Sequence, residues 1–424
     1  MADIRPFRGY FYNPGLVDIG AVVAPPYDVI SAHQQELLYT RHPANIIRLI
    51  LGKEPDRYSS AAGYFSVWKK SEILLRDEKP GFYLLSQAFV LPDGRRVERK
   101  GFIAACRLED LGKGSIVPHE RTLSKPKEDR FRLFLATGAM FSQVFSLYRD
   151  EQGTLDPVMQ KAMGDAPGLD VEFDHVRNRI WRLLDASATG TIARFISTQK
   201  VFVADGHHRY ETALLYRDAM RLRNPNWTGD EAFNFIPMFF TNMADPGLVI
   251  LPTHRIIHGL DGFDQQNLLA RLNDHFRLTH FENSGEMLTA LRRDASGSIG
   301  VVLPKSPKFS LAEIRNRGQL PEDTTPSLLW ELDVTLLHNL ILAGILGMSE
   351  EDVAKKKHLD YIRDETEAIG AVLANRAQAA FLLNATPVDE VRRIAEAGYT
   401  MPQKSTYFFP KLLSGTVMYS FDDW

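Results

Sequence analysis

The sequence predicts a mixed α/β protein, and three observations lead to this prediction. Short apolar runs of strand length, such as residues 201–204, alternate with longer segments of helical periodicity, such as residues 210–221. Turn signals rich in proline, glycine and aspartate separate these segments, as at Pro92-Asp93-Gly94. Hydrophobic residues make up 44% of the chain and charged residues 24%, which is the composition of a globular protein. With 424 residues, the chain is long enough for two or three domains with cores of their own.

Residues 1–105 are predicted to form an N-terminal α/β region. Residues 84–91 are predicted to form a strand, and residues 97–106 the strand that returns beside it. Upstream, the apolar run 22–30 contains Pro25-Pro26, and paired prolines hold a chain in a stiff, extended loop.

Residues 106–260 are predicted to form a central core, and residues 261–424 a C-terminal α/β region. In both regions, strands and helices alternate along the sequence. The predicted strands are residues 141–148, 201–204, 236–241, 248–251, 276–281, 298–303, 309–314 and 379–384. The predicted helices are residues 127–137, 177–185, 188–197, 210–221, 334–346 and 388–397.

The charge balance makes nucleic acid an unlikely principal partner. The chain has 50 Lys and Arg against 53 Asp and Glu, a formal net charge of −3, whereas gripping phosphates requires a basic surplus. The single cysteine, Cys106, excludes an internal disulfide and a cysteine-based zinc site. The first residues lack the apolar core of a signal peptide, and no apolar run approaches about eighteen residues. We therefore expect a soluble, cytoplasmic protein without a membrane span; the sequence leaves a homo-oligomer open.

The motif richest in chemistry is Asp205-Gly206-His207-His208-Arg209, which lies between a predicted strand and a predicted helix. A helix N-terminus carries about half a positive charge and binds anions readily. Gly206 lets the backbone approach a ligand closely, and Arg209 can donate two hydrogen bonds to phosphate oxygens. His207 and His208 can donate to phosphate or transfer protons near neutral pH, and Asp205 can hold Mg²⁺. The motif therefore predicts a site for phosphate groups.

Two other interpretations of this motif stay open. The segment can be an ordinary turn whose histidines cap a helix or bond to a nearby carbonyl. It can also be a transition-metal site, because His207 and Glu211 are four residues apart on a helix and His208 could join them. The residues do not match the H-E-x-x-H pattern of zinc proteases.

A second polar cluster, His119-Glu120-Arg121-Thr122, follows a predicted strand. Glu120 is a candidate base, since carboxylates take the hydroxyl proton in several phosphoryl-transfer enzymes. Arg121, Thr122 and Lys125 are candidates for holding phosphate, and His119 is a candidate for binding substrate. The competing interpretation is that the charges from Lys125 onward belong to the solvated start of a helix.

Two further pairs are candidates for binding the substrate. Tyr27 and Asp28 are the polar tips of the proline loop, and they can recognise an ammonium or hydroxyl group or simply belong to a rigid turn. Lys404 and Ser405 lie in the segment 401–411, where polar residues stand among aromatic ones. That composition is unusual for a tail that is merely solvated.

The residues around both polar clusters resemble a known fold. Pro118-His119-Glu120, a helix, a strand and then residues 203–210 resemble the ParB/sulfiredoxin-like fold, in which an equivalent turn binds nucleotide phosphates. The D-G-H-H-R form is most similar to the free-serine kinases of that superfamily. The whole chain also resembles a bacterial family known only as a domain of unknown function. The shared marks are Arg5-Pro6-Phe7, residues 24–29, 119–122, 205–209 and 401–406.

The kinase resemblance implies a specific function. The turn at Asp205–Arg209 would hold ATP or ADP together with Mg²⁺. Glu120, with His207 and His208 as further catalytic candidates, would activate the hydroxyl of a small metabolite, and free L-serine is the first candidate. The alternatives are a nucleotide-binding regulatory protein without turnover and a metal-dependent phosphohydrolase or nuclease. A sulfiredoxin-type reductase is disfavoured, because His207 stands where its cysteine is needed.

Overall fold

The computed structural model describes residues 1–91, 93–120, 124–293, 296–321 and 325–422. The chain packs into two compact units, and neither is continuous in sequence. The first unit comprises Met1–Pro118, Thr122–Val249 and Pro410–Trp424, and the second comprises His119–Arg121 and Ile250–Phe409.

The strands are short and run through the whole chain. In order they are β1 (Ile4–Arg5), β2 (Tyr10–Tyr12), β3 (Leu74–Arg76), β4 (Phe82–Val90), β5 (Arg96–Arg107), β6 (Ile116–Val117), β7 (Ala139–Met140), β8 (Val144–Tyr148), β9 (Leu169–Phe173), β10 (Val176–Leu183), β11 (Val201–Asp205), β12 (Phe235–Asn242), β13 (Val249–Leu251), β14 (His254–Ile257), β15 (Phe276–Phe281), β16 (Ser298–Val302), β17 (Phe309–Ile314), β18 (Leu359–Ile362), β19 (Ala379–Leu382), β20 (Tyr407–Phe409) and β21 (Tyr419–Ser420).

The helices lie between these strands, and the first four follow one another between β2 and β3. In order they are α1 (Ile19–Val22), α2 (Ala32–Arg41), α3 (Ile47–Ile50), α4 (Arg57–Lys70), α5 (Ser124–Thr137), α6 (Asp156–Met163), α7 (Ala186–Ser197), α8 (His207–Arg223), α9 (Gln265–His275), α10 (Ser284–Arg293), α11 (Asp333–Thr335), α12 (Glu350–Lys355), α13 (Glu365–Leu373) and α14 (Val388–Glu396). A π-helical segment, Leu336–Ile345, continues α11, and 3₁₀ turns occur at Tyr27–Val29, Ala232–Asn234, Arg317–Gln319 and Ser327–Glu331.

A mixed sheet of nine strands organises the first unit. Its order is β6-β11-β8-β12-β5-β4-β10-β9, and β1 pairs with β5. Strand β11 runs parallel to β6 and antiparallel to β8. Its first four residues are buried, as expected of an apolar strand that is covered on both faces. Helix α5 packs between two other helices, because it contacts both α4 and α8. The carboxyl end of β11 therefore leads directly into a packed helix.

An antiparallel sheet of six strands organises the second unit, in the order β15-β17-β16-β19-β14-β18. Alternate residues of a strand point to opposite faces of the sheet. Because these strands have apolar residues at both sets of positions, both faces of the sheet are apolar. Along β19, Phe381 lies in one apolar cluster, whereas Ala380 and Leu382 lie in the other. The same alternation separates Val301 from Val302 on β16.

The mixed α/β class predicted from the sequence is confirmed. The predicted strand 97–106 corresponds to β5, and the predicted helix 188–197 corresponds to α7. The region boundaries near residues 105 and 260, and the ParB/sulfiredoxin-like core, stay predictions. Strand β5 crosses the first of these boundaries, and its partners in the sheet come from both sides of it.

One predicted helix is wrong. Residues 177–185 were expected to be helical, but Val176–Leu183 forms strand β10 between β4 and β9. Val176, Asn178 and Ile180 are buried, whereas the arginines between them are more exposed. This spacing of two residues is the period of a strand that is buried on one face.

Within the residues that the structure describes, no helix combines the length and the apolar character needed to cross a membrane.

Candidate functional site

The predicted strand and helix form on either side of Gly206, but the helix begins three residues earlier than predicted. Asp205 ends β11, and His207, His208 and Arg209 already belong to the first turn of α8. Gly206 separates β11 from α8 and has a φ of 91°, in the left-handed region that glycine tolerates best. A Cβ atom at this position would lie 2.9 Å from both Nε and Nη2 of Arg209. The glycine is therefore required by the backbone conformation and by the guanidinium that packs over it. Close approach of a ligand is thus not the only reason for a glycine here, because contacts inside the protein already require one.

Arg209 folds back against the protein, and its side chain is only 5% exposed. Its Nη1 donates to the carbonyl oxygen of Gln143 at 2.6 Å and to Oγ of Ser142 at 3.0 Å. Its Nη2 donates to Oδ2 of Asp205 at 2.8 Å. These bonds tie the first turn of α8 to the segment that precedes β8. Arg209 thus fixes the shape of the turn, and its contact with a phosphate stays a prediction.

Lys411 is a functional candidate that the sequence analysis missed. Its Nζ donates to Oδ1 of Asp205, the oxygen that Arg209 does not contact. The Lys411 side chain is 12% exposed and that of Asp205 is 18% exposed. One carboxylate therefore lies between two little-exposed cations, so these three side chains carry a net charge of +1. No local signal could have indicated Lys411, because 206 positions separate it from Asp205.

A buried arginine holds the segment that carries Lys411. Arg99 is fully buried on β5, and its Nη2 donates to the carbonyl oxygen of Pro410 at 2.5 Å and to Oε1 of Gln87. Burial lowers the pKa of Arg99 to about 9, and the negative charges of Asp245 and Asp205 oppose that effect. Three cations, Arg99, Arg209 and Lys411, thus interact with the charge of Asp205.

The two histidines of the motif occupy the first turn of α8. His207 is buried and His208 is half-buried. Gly206 provides no capping side chain, and the amide of Tyr210 bonds to the carbonyl oxygen of Gly206 at 3.0 Å. A helix that begins without a capping side chain presents its positive end to an anion. The predicted catalytic roles of His207 and His208 stay predictions.

Tyr27 lies beside Arg209 in the first unit. Tyr27, Arg130, Ser142 and Arg209 help to line a cavity of about 20 Å³, which is room for a single water molecule. The Arg130 guanidinium lies 4.1 Å from the centre of the Tyr27 ring. Burial raises the pKa of Tyr27, and the charge of Arg130 opposes that rise. Asp28, in contrast, is exposed. The structure therefore brings Tyr27, but not the Asp28 side chain, into this buried group.

His119 and Glu120, from the second polar cluster, belong to the second unit. His119 is fully buried, and its Nε2 lies 3.0 Å from Oγ1 of Thr406. The carbonyl oxygen of His119 accepts from the amide of Met401 at 2.8 Å. Oε1 of Glu120 accepts from the amide of Lys404 at 2.9 Å. The structure thus brings His119 and Glu120 next to the C-terminal segment that contains Lys404 and Ser405.

The backbone of that C-terminal segment is strained at Lys404, whose φ is 57°. Such an angle is uncommon for a residue with a side chain, and it persists where the surroundings hold it. Here Glu120 holds the amide of Lys404, and Arg255 donates to its carbonyl oxygen at 3.0 Å. The next residue, Ser405, is buried, and its Oγ donates to the carbonyl oxygen of Pro402 at 2.5 Å. Roles for Lys404 and Ser405 in binding substrate stay predictions.

Three of the phosphate candidates lie wholly or partly outside the described residues. Arg121 and Thr122 lie outside the described residues. Lys125 belongs to α5, but its side chain is also outside the described part.

The metal prediction rests on Asp205. Across the described ranges, no three His, Cys, Asp or Glu side chains are grouped so that they could hold a metal ion. Asp205 supplies the carboxylate oxygens that Mg²⁺ prefers. Both oxygens accept from cations, so a bound Mg²⁺ would take one of them from Lys411 or Arg209.

Comparisons with known proteins give distant likenesses. No curated protein matches the chain. A conserved hypothetical protein from Pyrococcus furiosus is 14% identical, with 70% of this chain and 90% of that chain covered and a TM-score of 0.34. A free serine kinase in complex with AMP is 12% identical, with coverages of 71% and 92% and a TM-score of 0.36. SbnI with C-terminal truncation from Staphylococcus aureus is 10% identical, with coverages of 71% and 82% and a TM-score of 0.35.

A family model also matches the chain. The family model described as "Protein of unknown function (DUF1015)" matches residues 4–335, which is most of the chain. This range includes both polar clusters, His119–Thr122 and Asp205–Arg209. The chain belongs to the DUF1015 family.

Proposed function

We propose that the protein is a small-molecule kinase that binds ATP or ADP with Mg²⁺ at the turn Asp205–Arg209. One observation carries this proposal. The turn opens a helix of 17 residues without a capping side chain, and Arg209 and Lys411 outweigh the charge of Asp205 beside it. A helix N-terminus with surplus positive charge is suited to phosphate groups. Asp205 would hold the Mg²⁺, which neutralises phosphate charge when it is bound.

The proposed reaction transfers a phosphoryl group to a hydroxyl, with free L-serine as the first acceptor to test. The acceptor oxygen forms a bond to the terminal phosphorus of the nucleotide. The bond from that phosphorus to the oxygen of the leaving nucleotide breaks, and the hydroxyl proton passes to Glu120. Glu120 supports this assignment because it is a carboxylate whose Oε1 is positioned by the amide of Lys404.

Glu120→Gln is the sharpest test of the kinase proposal. The glutamine oxygen can still accept from the Lys404 amide, but glutamine cannot take the hydroxyl proton. We expect formation of O-phosphoserine from ATP or ADP, measured by mass spectrometry, to fall about 10²- to 10⁴-fold. Nucleotide affinity, measured by calorimetry, should stay unchanged.

Glu128→Gln is the matched control, because the Glu128 side chain is 65% exposed on α5 and should leave the rate unchanged. The acceptor panel includes other amino acids and polyols. Absence of any phosphorylated product with either nucleotide, together with absence of nucleotide binding, would refute the proposal.

The ion pairs at Asp205 favour a second candidate, a nucleotide-binding regulatory protein without turnover. Arg209 and Lys411 occupy both carboxylate oxygens, so the motif can hold phosphate through its cations without a metal. Nucleotide binding that is independent of Mg²⁺ and unaccompanied by product would favour this candidate over the kinase.

A further inference from the structure

The second unit contains a buried arginine without a carboxylate beside it. Arg255 lies on β14 and is 1% exposed. Its Nη1 donates to the carbonyl oxygen of Thr253, and its Nη2 lies 3.0 Å from the carbonyl oxygen of Lys404 and 3.4 Å from Nε2 of His338. Among the described residues, no carboxylate oxygen lies within 4.0 Å of this guanidinium. A buried positive charge without a carboxylate in direct contact is costly.

Two hydrogen-bond donors in this neighbourhood lack acceptors. Within the described part of the chain, Nε of Arg255 and the hydroxyl of Tyr361 are both buried without a hydrogen-bond partner. They belong together, because Arg255 and Tyr361 are directly paired across β14 and β18. The guanidinium also lies 5.2 Å from the centre of the Tyr361 ring. A buried donor without an acceptor is destabilising, so the pair is suited to an acceptor from outside the protein.

We propose that Arg255 and Tyr361 bind the carboxylate group of a small ligand. A guanidinium N–H and a neighbouring hydroxyl can each donate to one oxygen of a carboxylate, which also supplies the missing negative charge. The identification of this ligand with the phosphoryl acceptor rests on the proposed function. In that case the acceptor is a hydroxy acid or a hydroxy amino acid, such as L-serine, and not a neutral polyol.

The charges near Arg255 favour a monoanion over a phosphate dianion. Burial lowers the pKa of Arg255 to about 10, and the negative charge of Glu120 is among the influences that oppose this effect. Burial raises the pKa of Tyr361, and the charge of Glu120 adds to that rise, so the charge of Glu120 reaches both groups. A second negative charge on the ligand would add to that repulsion. His338 adds no positive charge near neutral pH, because burial and then the charge of Arg255 lower its pKa to about 3.

Calorimetry on the full-length, nucleotide-free protein tests the site. The probes are L-serine, D-glycerate and acetate as carboxylates, glycerol as a neutral analogue, and inorganic phosphate. We expect at least one carboxylate to bind and glycerol not to bind. Tyr361→Phe removes only a hydroxyl without a partner, so the variant should fold at least as stably as the wild type. Its affinity for the carboxylate should nevertheless fall about tenfold or more.

Arg255→Gln should abolish carboxylate binding, and Tyr399→Phe, which changes an exposed tyrosine, should leave it unaltered. The inference is overturned if no carboxylate binds, if glycerol or phosphate binds as well as the carboxylates do, or if Tyr361→Phe keeps full affinity. These outcomes are separate from the kinase test. Carboxylate binding that depends on Tyr361 can be measured without any phosphorylated product, and a product whose KM for serine ignores Tyr361→Phe would refute this site alone.

Discussion

Each oxygen of the Asp205 carboxylate accepts from a different cation, and this arrangement gives the motif a structural role of its own. Arg209 and Lys411 are both little exposed, so loss of the carboxylate would leave two cations facing each other. Breaking a buried ion pair in this way costs several kcal/mol, more than the intact pair contributes. In the proposed nucleotide complex, phosphate oxygens would share these two cations with Asp205.

Gly206→Ala should destabilise the protein beyond the strain of its backbone angle. Alanine at a positive φ costs about 1 kcal/mol, and here its Cβ would also press on the Arg209 guanidinium, 2.9 Å away. Gly112→Ala is the matched control, because Gly112 has a φ of 78° and open space around it. Urea unfolding should show a larger loss of free energy for the Gly206 variant. Equal losses of free energy in the two variants would show that the Arg209 side chain moves away from the new Cβ atom without destabilising the protein.

The residues of the turn could be predicted from the sequence because they are neighbours along the chain. Asp205, Gly206 and Arg209 are adjacent or one helical turn apart, so their grouping follows from a strand, a turn and a helix. Lys411 and the pairing of Arg255 with Tyr361 depend on contacts across more than 100 positions. Neither composition nor periodicity carries information about such contacts.

Helix α8 is fastened along its length to the segment that follows β5. The hydroxyl of Tyr210 accepts from the amide of Glu109 at 3.0 Å and donates to its carbonyl oxygen at 2.9 Å. Two turns later, Arg217 donates to the carbonyl oxygen of Leu108 at 3.2 Å and to Oδ1 of Asp110 at 2.9 Å. The helix that carries the histidines is thus anchored at both its first and its middle turns.

Tyr210→Phe should loosen this anchor. The substitution leaves an amide and a carbonyl oxygen of Glu109 without their partner, so the free energy of unfolding should fall by about 1–3 kcal/mol. Tyr399→Phe, at a side chain that is 39% exposed, should cause little change. Urea unfolding followed by circular dichroism measures both. A Tyr210 variant as stable as the control would mean that water replaces the lost hydroxyl.

Elements with a single clear period could be predicted, whereas mixed patterns could not. Strand β15 lies where the sequence predicts a strand, at Phe276–Phe281. In β10, the adjacent Ile180 and Trp181 are both buried, which interrupts the alternation of a strand and imitates helical spacing. Pairing with β4 and β9 decides that conformation, and the sequence of one segment does not show which strands it will pair with.

At the scale of the whole molecule, residues 410–424 belong to the first unit, although they follow the second unit along the chain. Gln143 donates to the carbonyl oxygen of Val417 at 2.5 Å, and Tyr419 donates to that of Ala232 at 2.8 Å. Strand β21 pairs with β7. This return to the first unit carries Lys411 to Asp205, so the candidate nucleotide site combines residues from the middle of the sequence with one from close to its C-terminal end. A division into consecutive regions could not have predicted it.

The stability of the molecule should depend on pH through His254, which is 1% exposed in the second unit. Its Nδ1 accepts from the amide of Leu383 at 3.2 Å, and burial followed by the charge of Arg255 lowers its pKa to about 4. In the unfolded chain the histidine titrates near pH 6.5. The contribution of the neutral ring is therefore fully present above pH 6.5 and is lost as the pH falls towards 4, because only the unfolded state then binds the proton.

His254→Asn isolates this effect, since the asparagine oxygen can accept from Leu383 but does not titrate. Between pH 6.5 and 4.5, the free energy of unfolding of the wild type should fall relative to the variant by about 1.4 kcal/mol per pH unit. Half-buried Glu390, whose pKa burial raises to about 7, acts in the opposite direction, but it is common to both proteins and cancels in the comparison. His33→Asn, at an exposed histidine of α2, should track the wild type. Parallel urea-unfolding profiles for the wild type and His254→Asn would mean that the folded protein accepts the proton at His254, against the burial and the neighbouring Arg255 that the structure places there.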